Sequence, residues 1–152
     1  MATLLRQSDD RTNARPAQRQ AASVKPLVLV AEDHDDTRFM LTYLLETWGC
    51  RVAMVEDGES AVCEAERTCP DLILMDASLP RLDGLAATRR IRKTPSLTRV
   101  PIVFLSGRAE ASFRAVALET GGDDYLTKPF ELEQLERVLE RHLGFNAAVK
   151  TK

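Results

Sequence analysis

The sequence is poor in aromatic residues, which make up 5% of its 152 residues, and it contains only three cysteines. Cys50, Cys63 and Cys69 form no CxxC pair and no ligand-like spacing with a histidine, so a zinc-binding module is not indicated. Basic residues are not in excess, since 21 lysines and arginines stand against 23 acidic residues, and a dedicated nucleic-acid-binding protein is not predicted. No apolar run is long enough to cross a membrane. These absences predict a cytoplasmic protein with reduced thiols and no direct nucleic-acid or membrane partner.

The length suffices for one domain with a proper core and not for two ordinary ones. Residues 1–25 are polar, rich in arginine, glutamine and alanine, and short of large apolar residues. They lack the apolar middle of a secretory signal, and we interpret them as a flexible, solvated extension. The folded domain is predicted to occupy residues 26–144, and residues 145–152 are interpreted as a short polar tail.

Beyond residue 25, short apolar runs alternate with amphipathic segments. The apolar runs predict strands, and the segments between them show the apolar spacing of helices. The predicted strands are Leu27–Val30, Arg51–Val55, Leu72–Met75, Ile102–Leu105 and Asp124–Thr127. The predicted helices are Asp36–Trp48, Gly58–Thr68, Leu85–Arg92, Glu110–Thr120 and Glu131–Leu143. This alternation predicts right-handed βαβ units and a doubly wound α/β fold, with a parallel sheet and helices on both faces.

Two helices carry apolar stripes that should face the sheet. The stripe of the first helix is predicted to contain Phe39, Met40, Leu41, Leu44, Leu45 and Trp48. The inward face of the last helix is predicted to contain Leu132, Leu135, Val138 and Leu139.

Polar side chains stand where four of the five strands end. Glu32 and Asp33 follow the first strand, and Asp76 follows the third. Ser106 follows the fourth strand, and the fifth leads to Lys128. Ligands bind beyond the carboxyl ends of the strands in this architecture. Each residue alone could be a helix cap or a solvated turn residue, but three carboxylates repel one another and persist mainly where a cation relieves them. Because the donors are oxygens, Mg²⁺ is the predicted ion.

Asp76 is the best-placed nucleophile, since it follows the central strand. A carboxylate beside Mg²⁺ can attack phosphorus, while the metal and a lysine neutralise the phosphoryl oxygens and a hydroxyl donates to one of them. The sequence has no GxxxxGK[ST] loop, so an ATP site is not predicted. His34 follows the acidic pair, and we interpret it as an exposed loop residue rather than as a metal ligand.

Four segments resemble the receiver domain of two-component response regulators: VLVAEDHDDTR, DLILMDASLPRLDG, PIVFLSGRA and GGDDYLTKPF. Each is moderately specific, but together and in this order they are highly specific, and the resemblance covers about residues 26–143. It implies the flavodoxin-like strand order 2-1-3-4-5. It also implies a chemotaxis-receiver-like switch that is not an enzyme, because it catalyses only its own phosphorylation and dephosphorylation.

The resemblance assigns roles to the strand-end residues by position. Asp76 would be the phosphoacceptor and a metal ligand. Asp33 would bind Mg²⁺ directly and Glu32 through water. Ser78 would lend its backbone carbonyl to the metal. Lys128 would be the lysine of the family's site, and its bond to the following proline is typically cis there.

The resemblance also implies a conformational switch. Ser106 would be the switch hydroxyl that moves toward the phosphoryl group, and Tyr125 would be the switch aromatic that swings inward. The fourth helix, fifth strand and fifth helix would then change their outer surface, as phosphorylation biases an existing equilibrium. The alternative for Tyr125 is a tyrosine at the edge of the core with its hydroxyl in solvent.

Phosphate would come from a phosphohistidine on a sensor histidine kinase or a histidine phosphotransfer protein, received near Asp76 and the first helix. We expect no DNA-binding or enzymatic module after Gly144, so output would pass through the last two helices to an unknown output protein or a homodimer.

Three other interpretations remain beside this one. The first is a phosphorylation-independent interaction module of the same fold. The second is an aspartate-nucleophile phosphatase, but that chemistry typically uses a second aspartate where this chain has Ser78. The third is a flavodoxin-like cofactor carrier, whose flavin phosphate the carboxylates of the first loop would repel.

Overall fold

The computed structural model describes residues 24–144, in which five strands alternate with five helices and a 3₁₀ turn at Pro95–Leu97. The strands are β1 (Leu27–Ala31), β2 (Arg51–Val55), β3 (Leu72–Asp76), β4 (Ile102–Ser106) and β5 (Asp124–Thr127). The helices are α1 (Asp35–Thr47), α2 (Gly58–Thr68), α3 (Gly84–Lys93), α4 (Ala111–Thr120) and α5 (Leu132–Leu143). Every predicted strand and helix is present, and each predicted end lies within one residue of the observed one.

Residues 1–23 and 145–152, on which the flexible extension and the polar tail were predicted, lie outside the described residues. Within residues 24–144, no helix has both the length and the apolar composition that a bilayer span requires.

The strands form one parallel sheet in the order β2-β1-β3-β4-β5, which confirms the doubly wound α/β fold and the flavodoxin-like order. The chain turns outward from β1 to β2 and then returns to β3, so the order reverses between β1 and β3. Ligands bind at such a reversal in open α/β sheets. Ala31 is paired with Met75, and the residues that follow β1 therefore lie beside the end of β3.

The sheet separates two hydrophobic cores. Val30 and Leu74 belong to the core beneath α1 and α5, whereas Leu29 and Ile73 belong to the core beneath α2, α3 and α4. Every residue of β3 and β4 is buried, as expected for central strands covered on both faces. Burial of each large aliphatic side chain stabilises the fold by roughly 1.5–3 kcal/mol, so the sheet is a firm base for the loops at its carboxyl end.

A glycine fixes the loop after β3. A Cβ atom at Gly84 would lie 2.1 Å from the carbonyl oxygen of Asp76, too close for any other residue without a shift. The Gly84 N–H donates to the Ala77 carbonyl at 3.0 Å, and the Asp83 carboxylate caps α3 by accepting from the Ala86 N–H at 2.8 Å. Gly84 therefore lets α3 begin directly against the end of β3.

Three apolar side chains do not lie where the stripes predicted. Phe39 and Met40 on α1 are 57% and 46% exposed, and Leu132 at the start of α5 is 44% exposed. On α1 a buried position is taken instead by Arg38, which is 6% exposed. The prediction of a broad apolar stripe on α1 is therefore wrong at two positions, because Arg38, which donates to the buried Glu32 carbonyl, occupies part of the inward face.

Candidate functional site

Two buried carboxylates meet at the carboxyl end of the sheet. Glu32 directly follows β1, and its side chain is 0% exposed. Asp76 is the last residue of β3, and its side chain is 5% exposed. Asp33 lies beside them and is 34% exposed. Since β1 and β3 are neighbours, the sheet itself brings these acids together.

One cation is shared between the two buried acids. The Lys128 ammonium donates to Glu32 Oε2 at 2.6 Å and to Asp76 Oδ2 at 3.2 Å. It reaches them from the loop after β5, and the Lys128–Pro129 peptide bond is cis. Glu32 and Asp76 thus share one ammonium group, and the Asp33 carboxylate lies beside them, so the carboxylates outnumber the ammonium group at this end of the sheet.

Burial and mutual repulsion change the acidity of the site. Burial, with a smaller contribution from the nearby Glu32 charge, raises the pKa of Asp76 to about 6, against the hydrogen bonds from the Ser78 N–H and Lys128. Burial also acts to raise the pKa of Glu32, but the bonds from Lys128 and His34 outweigh it, and the pKa lies below its ordinary value. Burial acts to lower the pKa of Lys128, but the two carboxylates raise it. A negative charge on Asp76 therefore destabilises the site more than a negative charge on Glu32 does.

The residues fit a divalent cation. One possible ligand atom from each of Glu32, Asp33, His34 and Asp76 lies within 4.8 Å of the others. Carboxylate oxygens suit Mg²⁺, and a dication would offset both the burial of the Asp76 charge and the smaller repulsion from Glu32 that raise the pKa of Asp76. Ser78 lies two residues beyond Asp76, and its N–H donates to Asp76 Oδ1 at 2.9 Å.

Ser106 and Tyr125 bind the same backbone segment. Ser106 is the last residue of β4 and is 2% exposed, and its Oγ accepts from the Arg108 N–H at 3.1 Å. Tyr125 is 5% exposed, and its hydroxyl donates to the Arg108 carbonyl at 2.5 Å. The structure therefore places the Tyr125 ring inward already, the position that the resemblance implies for the switched state, with its hydroxyl bonded and not in solvent, and links it through Arg108 to Ser106.

The chain matches the family model of the response regulator receiver domain over residues 28–140. The chain belongs to the response-regulator receiver family. As a receiver domain it is a signalling module of two-component systems.

Solved receiver domains are similar over most of the described chain. The receiver domain of the sensor histidine kinase PA1611 from Pseudomonas aeruginosa PAO1 is 41% identical, with a TM-score of 0.75, and the match covers 80% of this chain and 100% of that one. It was solved with a magnesium ion coordinated in its active site cleft. The chemotaxis protein CheY4 of Vibrio cholerae is 25% identical with a TM-score of 0.74, covering 78% of this chain and 99% of that one.

Curated relatives include longer proteins. The phosphate regulon transcriptional regulatory protein PhoB of Rhizobium meliloti (strain 1021) is 37% identical over 110 residues, which are 72% of this chain and 48% of PhoB. This chain therefore matches about half the length of that relative. An uncharacterized 14.6 kDa protein of Leptolyngbya boryana is 33% identical over 115 residues and is covered to 88% of its length.

Two residues of this receiver domain escaped the sequence prediction. Arg38 donates to the Glu32 backbone carbonyl at 3.1 Å and pairs with Asp35 and Glu56, so it ties the loop after β1 to the loop after β2. His34 is exposed, as predicted, but its Nδ1 lies 3.1 Å from a Glu32 carboxylate oxygen. A lone arginine inside an apolar stripe was the available signal for Arg38. No signal in the sequence gave the direction of the His34 ring.

Proposed function

We propose that Asp76 accepts a phosphoryl group from a phosphohistidine on a sensor histidine kinase or a histidine phosphotransfer protein. The observation that carries this proposal is the position of Asp76: a carboxylate at the end of the central strand, 5% exposed and 3.2 Å from the Lys128 ammonium. Glu32 and Asp33 stand beside it as the residues that would hold Mg²⁺ together with Asp76. The receiver fold and the magnesium ion of the PA1611 domain support the same arrangement.

The chain's own groups would each serve one part of the transfer. An Asp76 carboxylate oxygen attacks phosphorus, the bond from phosphorus to the donor imidazole breaks, and its electron pair returns to the ring. The Lys128 ammonium donates a hydrogen bond to one phosphoryl oxygen, and the Ser106 hydroxyl donates one to another. Bound Mg²⁺ would neutralise the charge that spreads over the phosphoryl oxygens, and the Ser78 backbone carbonyl is its remaining proposed ligand from the protein.

The switch would act through Arg108. If Ser106 Oγ turns toward a phosphoryl group on Asp76, it releases the Arg108 N–H, and the Tyr125 hydroxyl remains bound to the carbonyl of the same residue. Helix α4 begins three residues later, and Ala117 is its only buried residue. An element with so few buried contacts can shift at low cost, so the outer surface of α4, β5 and α5 would change.

The phosphohistidine donor would dock on α1 and the loop after β5. Tyr43 is 70% exposed beside Phe39 and Met40, which gives α1 an apolar outer face of a kind that marks interaction sites. A groove of about 400 Å³ runs from this face to the site and is lined by Thr37, Met40, Lys128, Pro129 and Phe130. Since Lys128 belongs to both the groove and the acid cluster, a helix seated there would bring its histidine to Asp76.

Output to a partner protein or to a second receiver domain would use the surface between α4 and α5. A groove of about 300 Å³ between α4 and α5 is lined by Arg114, Asp124, Leu126, Gln134, Arg137, Val138 and Arg141. Arg141 is paired with Asp124 within the groove, and the guanidinium groups of Arg114 and Arg137 favour a partner surface that carries carboxylates.

Phosphorylation by acetyl phosphate with Mg²⁺ tests the proposal. Mass spectrometry of the intact protein should show one phosphate on the wild type and none on Asp76→Asn. Asp83→Asn is the matched control, because Asp83 is exposed and asparagine can cap α3 equally well; it should be phosphorylated normally. Phosphate that appears in Asp76→Asn and maps elsewhere would overturn the assignment. Absence of any response to acetyl phosphate or beryllofluoride in the wild type would favour the phosphorylation-independent module.

A further inference from the structure

The imidazole of His34 lies against the metal site and not out in solvent away from it. Its Nδ1 is 3.1 Å from Glu32 Oε1 and 3.3 Å from Asp33 Oδ1. The Glu32 carboxylate is thus held from two sides, by Lys128 on Oε2 and by the His34 ring on Oε1. A nitrogen donor therefore joins a cluster that otherwise consists of carboxylate oxygens.

The position of His34 leaves it available to a ligand. Its side chain is 74% exposed, and as the N-cap residue of α1 it makes no side-chain capping bond. The helix therefore does not depend on the ring. The backbone N–H of His34 donates to Glu32 Oε1 at 3.2 Å, and this bond is retained whatever the side chain is.

We propose that His34 is a nitrogen ligand of the divalent cation at this site, so that the site binds a borderline cation such as Co²⁺ more tightly than its carboxylates alone would, while Mg²⁺ is held by the carboxylates with little help from the ring. The chemistry of the donor set is the reason. Mg²⁺ takes oxygen ligands, whereas imidazole suits the later first-row metals, whose affinity for a mixed nitrogen and oxygen site rises along the Irving–Williams order. This inference rests on the proposed function, since it concerns the cation held by Glu32, Asp33 and Asp76.

Cobalt binding to the full chain tests the inference directly. Co²⁺ affinity is measured by calorimetry, Mg²⁺ affinity by competition with Co²⁺, and coordination of the ring by a hyperfine-shifted imidazole ring C–H resonance in the proton NMR spectrum, because the ring N–H of an exposed histidine exchanges with water. His34→Gln should lower the Co²⁺ affinity about tenfold or more and remove the shifted resonance. The Mg²⁺ affinity should change by less than about threefold. His142→Gln alters the chain's other histidine and should leave all three readouts as in the wild type.

Two outcomes would overturn the inference. In the first, Co²⁺ binds and Asp33→Asn weakens it, but no shifted imidazole resonance appears. In the second, His34→Gln weakens Co²⁺ and Mg²⁺ by the same factor. In both, the carboxylate site of the proposed function still stands. If instead Asp33→Asn leaves the affinities for both ions unchanged, the cations bind elsewhere, and both the proposed metal site and the role of His34 fall.

Discussion

The two ends of the sheet handle charged side chains in opposite ways. At the amino end, the Arg92 guanidinium is 18% exposed and donates to the carbonyl oxygens of Leu97, Val100 and Gly121. It also donates to the Asp123 carboxylate at 2.8 Å. Asp123 in turn accepts from the first N–H of β4 at 2.9 Å. One cation and one anion thus close this end with their hydrogen bonds satisfied.

At the carboxyl end the same chain leaves the charge unbalanced. Glu32, Asp33 and Asp76 face Lys128, and burial raises the pKa of Asp76 to about 6. The amino end shows that this sequence can pair and hydrogen-bond a half-buried charge such as that of Arg92. The deficit at the carboxyl end therefore marks the place where stability is given up, as the proposed binding of a cation and a phosphoryl group requires.

The largest expected effect is on stability and comes from Arg92, at the amino end of the sheet. Arg92→Met keeps the apolar stem but removes the donors, and it leaves the Asp123 carboxylate and four carbonyls, those already named and that of Thr98, without this partner. We expect the free energy of unfolding to fall by about 3 kcal/mol, measured by urea denaturation. Phosphate incorporation at low temperature should persist, because Arg92 lies at the other end of the sheet.

The control for this change is on the same helix. Arg90 is exposed, and Arg90→Met should alter the free energy of unfolding by less than about 0.5 kcal/mol. If both variants lost the same free energy of unfolding, the loss would come from replacing any arginine of helix α3. The hydrogen bonds of Arg92 would then not be its cause.

The second effect is an increase in stability, and it comes from Asp76 at the carboxyl end of the sheet. Asp76→Asn removes a buried negative charge, so it should stabilise the protein in Mg²⁺-free buffer. Because the folded-state pKa of Asp76 is about 6 and its ordinary value is 3.8, the wild type loses stability as the pH rises through this window. The gain for the variant should grow from near zero at about pH 4 to on the order of 2 kcal/mol at about pH 7.5.

Thermal or urea unfolding across this pH range gives the measurement, with Asp83→Asn as the variant that should show no such trend. Mg²⁺ should stabilise the wild type and should reduce its difference from Asp76→Asn. A difference that does not depend on pH would mean that the carboxylate of Asp76 is not strained in the fold.

Local patterns were enough to predict the fold and the residues at the edge of the sheet. Period-two and helical spacing depend on neighbours along the chain, and parallel pairing then brings all strand ends together. For this reason Lys128 could be placed beside Glu32 although they are 96 residues apart in sequence. The strand order was supplied by the resemblance and not by the pattern.

The bonds between loops could not be predicted in this way. Arg38 is a charged residue in a helix, and the pattern assigns such residues to solvent, whereas its burial depends on carbonyl and carboxylate partners in two separate loops. The link from Ser106 to Tyr125 through Arg108 depends on the backbone path after β4. Both features arise from tertiary geometry that spacing does not encode.

The smallest effect concerns that link. Tyr125→Phe removes only the hydroxyl that donates to the Arg108 carbonyl, so it should lower the free energy of unfolding by about 1 kcal/mol. Since Tyr125 and Ser106 both bind the backbone of Arg108, a double-mutant cycle with Ser106→Ala should give a coupling energy of about 0.5 kcal/mol or more. Strictly additive losses would contradict a link through Arg108. Coupling would show that Ser106 and Tyr125, at the carboxyl end of the sheet, are linked by a few weak bonds. A phosphoryl group on Asp76 would redistribute these bonds, whereas the bonds of Arg92 at the amino end would stay as they are.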